Sequence, residues 1–204
     1  MVTYATVPRI WDGQTAVCIA SGPSLCVQDV EACRGRARVV AVKDGIRLAP
    51  FADCLYCCGS DQGRWWQCHG ERLKTFTGLR YTLDTKAARW AQVLKQGPET
   101  GLSTDPTMLC TGKNSGYQSV GLAFLLGARR ILLLGFDLQL AKDGTEYFFG
   151  THPYNKPASP FDRFLALFES MVEPLRLHGV EVINCSRVTA LNVFPQMSIQ
   201  EALA

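Results

Sequence analysis

Short apolar runs alternate with stretches whose apolar positions recur at helical spacing along most of the chain. Thr15 to Ala20 reads as a first strand, followed by Val39 to Lys43, Cys54 to Cys58, Thr107 to Cys110, Arg130 to Leu134 and Val180 to Asn184. Between them, Ser24 to Arg34 has a helical pattern with Ser24 as its cap, and Asp61 to Leu73 and Thr85 to Gln96 are helical in character. Asn114 to Leu126 opens on a good cap residue and is followed by Gly127, a good C-terminal stop. Pro160 to Leu177 is a further amphipathic helix. Lys74 to Leu83 is extended, and the Gly-, Pro-, Thr- and Ser-rich stretch from Gln96 to Pro106 reads as a long exposed loop.

Strands that alternate with helices predict an α/β fold: a three-layer, Rossmann-like domain with a mainly parallel sheet covered on both faces. "RILLLGFD" is apolar almost throughout, as a central strand of such a sheet should be. The 204 residues suit a single domain over 1–204, with a lid-like segment at about 138–159 that is long, aromatic and glycine-bearing. In open parallel sheets, ligands bind beyond the carboxyl ends of the strands, where strand order reverses. The loops after strands are therefore where chemistry is expected.

Composition narrows the partners. Hydrophobic residues make up 47% and charged residues 19%, a lightly charged globular composition. A formal net charge of +3 does not indicate nucleic acid. No apolar run approaches a membrane span, and Met1 to Gln14 has no apolar signal core, which leads to the expectation of a cytoplasmic protein. The nine cysteines are odd in number and mostly sit in apolar runs, which suits buried thiols in a reducing compartment. The expected partner is a small molecule, and a homo-oligomer stays open.

Two loops repeat one pattern. In "ASGPSL", a strand ends at Ser21, Gly22, Pro23 and Ser24; small residues let backbone amides approach an anion, while the bland alternative is a plain strand-to-helix turn. In "CTGKNSGYQS", Lys113, Asn114, Ser115 and Gly116 offer a point charge, amides and a hydroxyl to a phosphate or ribose, although Asn114 also suits an ordinary cap. Asp137 in "GFDLQL" stands just past a buried strand, where a carboxylate binds a ribose hydroxyl, a base or a metal, or merely caps the loop. His152 lies in "FFGTHPYN" beside Tyr147 and Tyr154, on a segment that should overhang the sheet's functional edge. "CLYCCGSDQGRWWQCH" allows a zinc reading through Cys54, Cys57, Cys68 and His69, set against a buried strand followed by a helix with poor ligand geometry.

Taken in order, "VCIASGPSL", "KNSGYQSVGLAFLLGARRILLLGFDL", "GTHP" and "VEVINCS" resemble a Rossmann-like superfamily. It includes bacterial lipooligosaccharide sialyltransferases, motility-associated glycosyltransferases and hydroxymethylpterin diphosphokinases, and the resemblance is strongest to small phage-encoded members of the "norphogenetic protein" type. It covers most of the chain and is poor between Asp61 and Pro106. In the sialyltransferases an Asn-Gly-Pro-Ser loop sits on the nucleotide, and here it reads Ser21-Gly22-Pro23-Ser24. Their second-strand asparagine corresponds to Lys43, and their Thr-Ser-Gly to Asn114-Ser115-Gly116. Of their tyrosine pair, Gln139 replaces the first and Tyr147 matches the second. Their arginine before Ser-Gly is absent, with Lys113 nearby, and their general-base histidine falls on His152.

The resemblance implies glycosyl transfer from a sugar nucleotide, with His152 and Tyr147 catalytic and the two loops, Lys43 and Asp137 on the nucleotide. The departures leave the sugar, base and acceptor open. A diphosphokinase using Mg2+, through Asp137, and a nucleotide-binding module without catalysis remain the alternatives. No other cofactor is implied.

Overall fold

In the computed structural model, which describes residues 3–58, 63–152, 154 and 157–204, the apolar runs become a parallel sheet. The strands are β1 (Thr15–Ile19), β2 (Arg38–Val42), β3 (Cys54–Tyr56), β4 (Leu79–Thr82), β5 (Gln92–Val93), β6 (Lys95–Gln96), β7 (Met108–Leu109), β8 (Arg130–Leu134) and β9 (Glu181–Asn184). The helices are α1 (Val27–Ala32), α2 (Arg64–Cys68), α3 (Gly70–Lys74), α4 (Ser115–Leu126), α5 (Phe161–Leu177) and α6 (Ile199–Ala202). Among the described residues, seven strands form one sheet in the order β5-β4-β3-β2-β1-β8-β9, every neighbouring pair parallel. β6 and β7 pair separately, also in parallel.

Side chains alternate across the sheet and define its two outer layers. Ala16, Cys18, Ile131 and Leu133 point into the core shared with α4 and α5, where Val120, Phe168 and Met171 pack. Val17, Ile19, Leu132 and Leu134 point the other way, into the core built with Val30 of α1, Trp65 and Trp66 of α2, Leu73 of α3 and Ile199 of α6. Both faces of the central strands are therefore dry, which is why those strands read as unbroken apolar runs. α4 is buried nearly all round, with Asn114 capping its start and Gly127 closing its end at φ 109°. No helix among the described residues is long and apolar enough to cross a membrane.

Three sequence expectations are corrected. The helix expected from Ser24 begins only at Val27, and its cap position, Cys26, makes no side-chain capping bond; Ser24 is held elsewhere. The helix expected over Thr85 to Gln96 is a 3-10 turn at Thr85–Ala87 followed by β5 and β6. Ala87, Ala91 and Leu94 do recur at helical spacing and are all buried, but pairing of Gln92 and Val93 with Tyr81 and Thr82 overrides that pattern. The helical stretch expected from Asp61 splits at His69 into α2 and α3. Asp61 itself lies outside the described residues, as do Pro153, Asn155 and Lys156 of the expected lid.

The chain leaves β1 toward β2 on one side and returns to β8 on the other, so strand order reverses between β1 and β8. The candidate site forms above that point.

Candidate functional site

The exit from β1 is built by packing. The Gly22 amide donates to the Gly135 carbonyl at 2.8 Å. A Cβ at Gly22 would stand 2.1 Å from Asp137 Oδ1 and 2.6 Å from the Gly135 oxygen, so only glycine fits. The Ser24 amide donates to Asp137 Oδ2 at 2.8 Å and its hydroxyl to Oδ1 at 2.9 Å. Asp137 is only 2% exposed, and burial raises its carboxyl above the ordinary value against the lowering pull of the Ser24 donors. It ties the β8 exit to the β1 exit.

The start of α4 faces the same edge. Asn114 Oδ1 accepts from the Gly116 and Tyr117 amides at 2.7 and 3.1 Å, satisfying two of the four amides a helix start leaves open. Ser115 Oγ accepts from the Cys58 amide at 3.3 Å. The aligned dipoles of this 12-residue helix concentrate partial positive charge at Ser115 and Gly116. Lys113 is half exposed, with its ammonium 3.7 Å from Glu99. Among the described residues, three non-glycine residues have a left-handed backbone: Lys43 (φ 49°), Lys113 (φ 49°) and Leu138 (φ 48°). All three line one cavity, and strain of this kind gathers at ligand sites.

The segment after β8 covers the edge. Its backbone is tied down where the Phe148 amide donates to the Ser21 carbonyl at 3.2 Å. Glu146 Oε1 accepts from the hydroxyls of Tyr147 and Ser159. Burial, reinforced by the bond to Glu146, pushes the Tyr147 phenol well above its ordinary range. The His152 ring packs among Tyr147, Phe149 and Tyr154, at centroid distances of 4.7, 5.1 and 5.0 Å. Its side chain is 6% exposed, more covered than a residue on an overhanging, glycine-bearing lid is expected to be.

Behind His152 lies a charge cluster that sequence reasoning missed. Lys43–Arg47 forms a 3-10 turn directly after β2, and Gly45 lets it press against β1, since a Cβ there would meet the Ile19 carbonyl at 2.2 Å. This sinks Asp44 to 0% exposure. Asp44 receives Arg47 Nε at 2.7 Å and Trp65 Nε1 at 2.9 Å, and faces His69 Nε2 at 3.0 Å, with His152 Nδ1 at 4.0 Å. Burial raises the Asp44 carboxyl, but donation from His69 and Trp65 and the nearby charges outweigh it and hold the group at about 2. The only signal in the sequence was an Asp-Gly pair after a strand, which also suits any turn. His69 is likewise turned inward, its Nδ1 2.9 Å from the Trp65 carbonyl, while Cys68 is exposed. The four residues of the zinc reading do not converge.

These parts enclose a cavity of about 700 Å³ at the carboxyl ends of the strands, within the size range of small-molecule sites. Ser21, Gly22, Lys43, Lys113, Asn114, Ser115, Gly116, Tyr147 and His152 all line it. Pro23, Ser24 and Asp137 do not; they support the β1 exit from behind. The walls also carry Asp84, Thr85, Lys86, Gln96, Glu146 and Ser159, which no motif had singled out. The lining brings hydroxyl, carboxylate and lysine side chains into one cavity with a largely buried imidazole, the kinds of group that phosphate binding and proton transfer use.

No protein-family model matches the sequence, and no curated protein matches it. Among solved structures the chain is similar to the sialyltransferase CstII from Campylobacter jejuni in complex with a substrate analogue, cytidine-5'-monophosphate. The TM-score is 0.54 at 12% identity, covering 92% of this chain and 86% of that one. The fold is thus a sialyltransferase-like, Rossmann-like α/β architecture.

Proposed function

We propose that the protein is a glycosyltransferase-like transferase that binds a sugar nucleotide in this cavity. The observation that carries the reading is convergence. Residues far apart in the chain, Ser21 and Gly22, Lys43, Lys113 to Gly116, Tyr147 and His152, line one cavity beside the β1/β8 reversal. The fold it shares with a transferase complexed with cytidine-5'-monophosphate supports a nucleotide-type ligand.

In this reading the ligand phosphate rests at the start of α4, against the partial positive charge at Ser115 and Gly116, with Lys113 as counter-charge. His152 takes the proton of an acceptor hydroxyl as the oxygen attacks the anomeric carbon. The anomeric C–O bond to phosphate breaks, and its electron pair leaves on the nucleotide. Tyr147 donates to that oxygen after turning from Glu146, so the growing charge is met by a protein hydroxyl rather than by water. A magnesium-dependent diphosphokinase loses support, because Asp137, its proposed metal ligand, does not line the cavity.

The test is a panel of nucleoside monophosphates by calorimetry, and of sugar nucleotides and nucleoside triphosphates by turnover, with and without Mg2+. Binding of a monophosphate and metal-independent turnover of a sugar nucleotide are the expected results. Turnover of a triphosphate only with Mg2+ would favour the diphosphokinase, and binding without any turnover would favour a binding module.

A further inference from the structure

We propose that Asp44 is the positioning residue for His152: it holds the imidazole with Nδ1–H toward the sheet and so leaves Nε2 as the nitrogen that takes the acceptor's proton. This rests on the reading of His152 as the base of a transferase.

Asp44 is a buried carboxylate with a hydrogen-bonding place to spare. Arg47 Nε and His69 Nε2 crowd its Oδ1, at 2.7 and 3.0 Å. Its Oδ2 receives Trp65 Nε1 at 2.9 Å. A carboxylate oxygen accepts two hydrogen bonds, and His152 Nδ1 stands 4.0 Å from Oδ2. That distance is within ion-pair range and longer than a hydrogen bond. Catalytic contacts of this kind are commonly long before substrate arrives and tighten in the complex.

Asp44 is also a fixed point. Its 3-10 turn, Lys43–Arg47, follows β2 without a linker, and Gly45 presses that turn against the Ile19 carbonyl. His69 is held in its turn: its ring stacks on Trp65 at 4.2 Å between centroids, and its Nδ1 lies 2.9 Å from the Trp65 carbonyl. His152, by contrast, arrives on the long segment after β8. The rings of Tyr147, Phe149 and Tyr154 around it belong to that same segment. Asp44 ties the imidazole to the sheet, which those aromatic contacts do not. Arg47 adds to the hold, with its Cζ 4.4 Å from the centroid of the Phe149 ring.

The chemistry follows from what a carboxylate can do. Burial raises the Asp44 carboxyl, but His69, Trp65 and the nearby charges hold it at about 2, so near neutral pH it only accepts. A neutral imidazole that faces it with Nδ1 keeps its hydrogen there, and Nε2 then carries the lone pair that a general base needs. When the acceptor's proton reaches Nε2, the buried ring becomes a cation with Asp44 as the anion beside it. Arg47 already offsets much of the Asp44 charge, so orientation of the ring outweighs attraction to it.

The test is long-range proton–nitrogen correlation NMR of the histidine rings in the full chain, which has three histidines. The spectrum shows which ring nitrogen carries hydrogen. With its ring neutral, His152 should appear in the Nδ1–H form. In Asp44→Asn, Arg47 and His69 keep the side-chain oxygen on their side, so an amide donor replaces Oδ2. That should turn His152 to the Nε2–H form, while His178, packed on Phe124, keeps its resonances. A carboxylate with a purely structural role would move His69 and leave the His152 form as it was. Turnover of the sugar nucleotide should fall about 10²–10⁴-fold in the same variant, with nucleotide affinity unchanged. The parent spectrum needs no variant, so it decides the question even if Asp44→Asn does not fold. The Nε2–H form in the parent, an unchanged His152 form in the variant, or a changed form with undiminished turnover would each overturn the proposal. Should the Nδ1–H form depend on Asp44 in a protein that turns over no sugar nucleotide, the pairing stands and the transferase reading falls.

Discussion

At the scale of single residues, Gly22 and His152 do different work. Gly22 lacks a side chain because Asp137 and the Gly135 carbonyl occupy the space a Cβ would need. The sequence suggested glycine as an approach for a ligand; the geometry makes it first a packing requirement. Gly22→Val should therefore lower stability by at least ~1–3 kcal/mol, as overpacking does, as well as remove nucleotide binding, and denaturant unfolding alongside calorimetry will show both. An equally stable variant with intact affinity would contradict the packing account. His152 lines the cavity with Ser21 and Ser115. His152→Ala should cut the chemical step by about 10²–10⁴-fold with nucleotide affinity nearly unchanged, as measured by single-turnover kinetics and calorimetry. Equal rates in both proteins would remove His152 as the base.

At the scale of elements, α4 joins stability to the site. Asn114 Oδ1 holds two amides at its start, so Asn114→Ala should cost about 1 kcal/mol in urea unfolding. The same variant should change nucleotide affinity as well, because the amides it releases sit where the phosphate is proposed to rest. A loss of stability with unaltered binding would separate the helix start from the ligand. Elements with strong local signals were legible in the sequence: β1, β8 and α4 lie within a residue of their expected bounds. Those decided by distant pairing were not. Ala87, Ala91 and Leu94 mimic a helix, and only the neighbouring β4 makes their segment extended. Likewise Ser24 looks like a cap, yet its partner Asp137 lies 113 positions away.

At the scale of the whole molecule, the loops expected after the strands do meet at one edge. Nothing in the sequence, however, shows that Asp44 sits under His152, or that Asp84, after β4, lines the same cavity. Such neighbours are set by sheet order, which local patterns do not encode. The buried Asp44 also links the site to acid stability. Its folded value of about 2 lies below the ordinary 3.8, so its contribution is complete above 3.8 and is lost as pH falls toward 2. That shift corresponds to about 2 kcal/mol. Asp44→Asn should flatten the stability profile between those values, and an unchanged profile in urea unfolding would contradict the assignment. The central claim, that a nucleotide occupies the cavity beside the β1/β8 reversal, is met most directly by amide NMR shifts on titration with cytidine-5'-monophosphate. Saturable shifts should centre on Ser21, Gly22, Ser115 and Gly116. No shift at saturating nucleotide, or shifts centred on the distant groove of Thr3, Phe76 and Trp90, would contradict it.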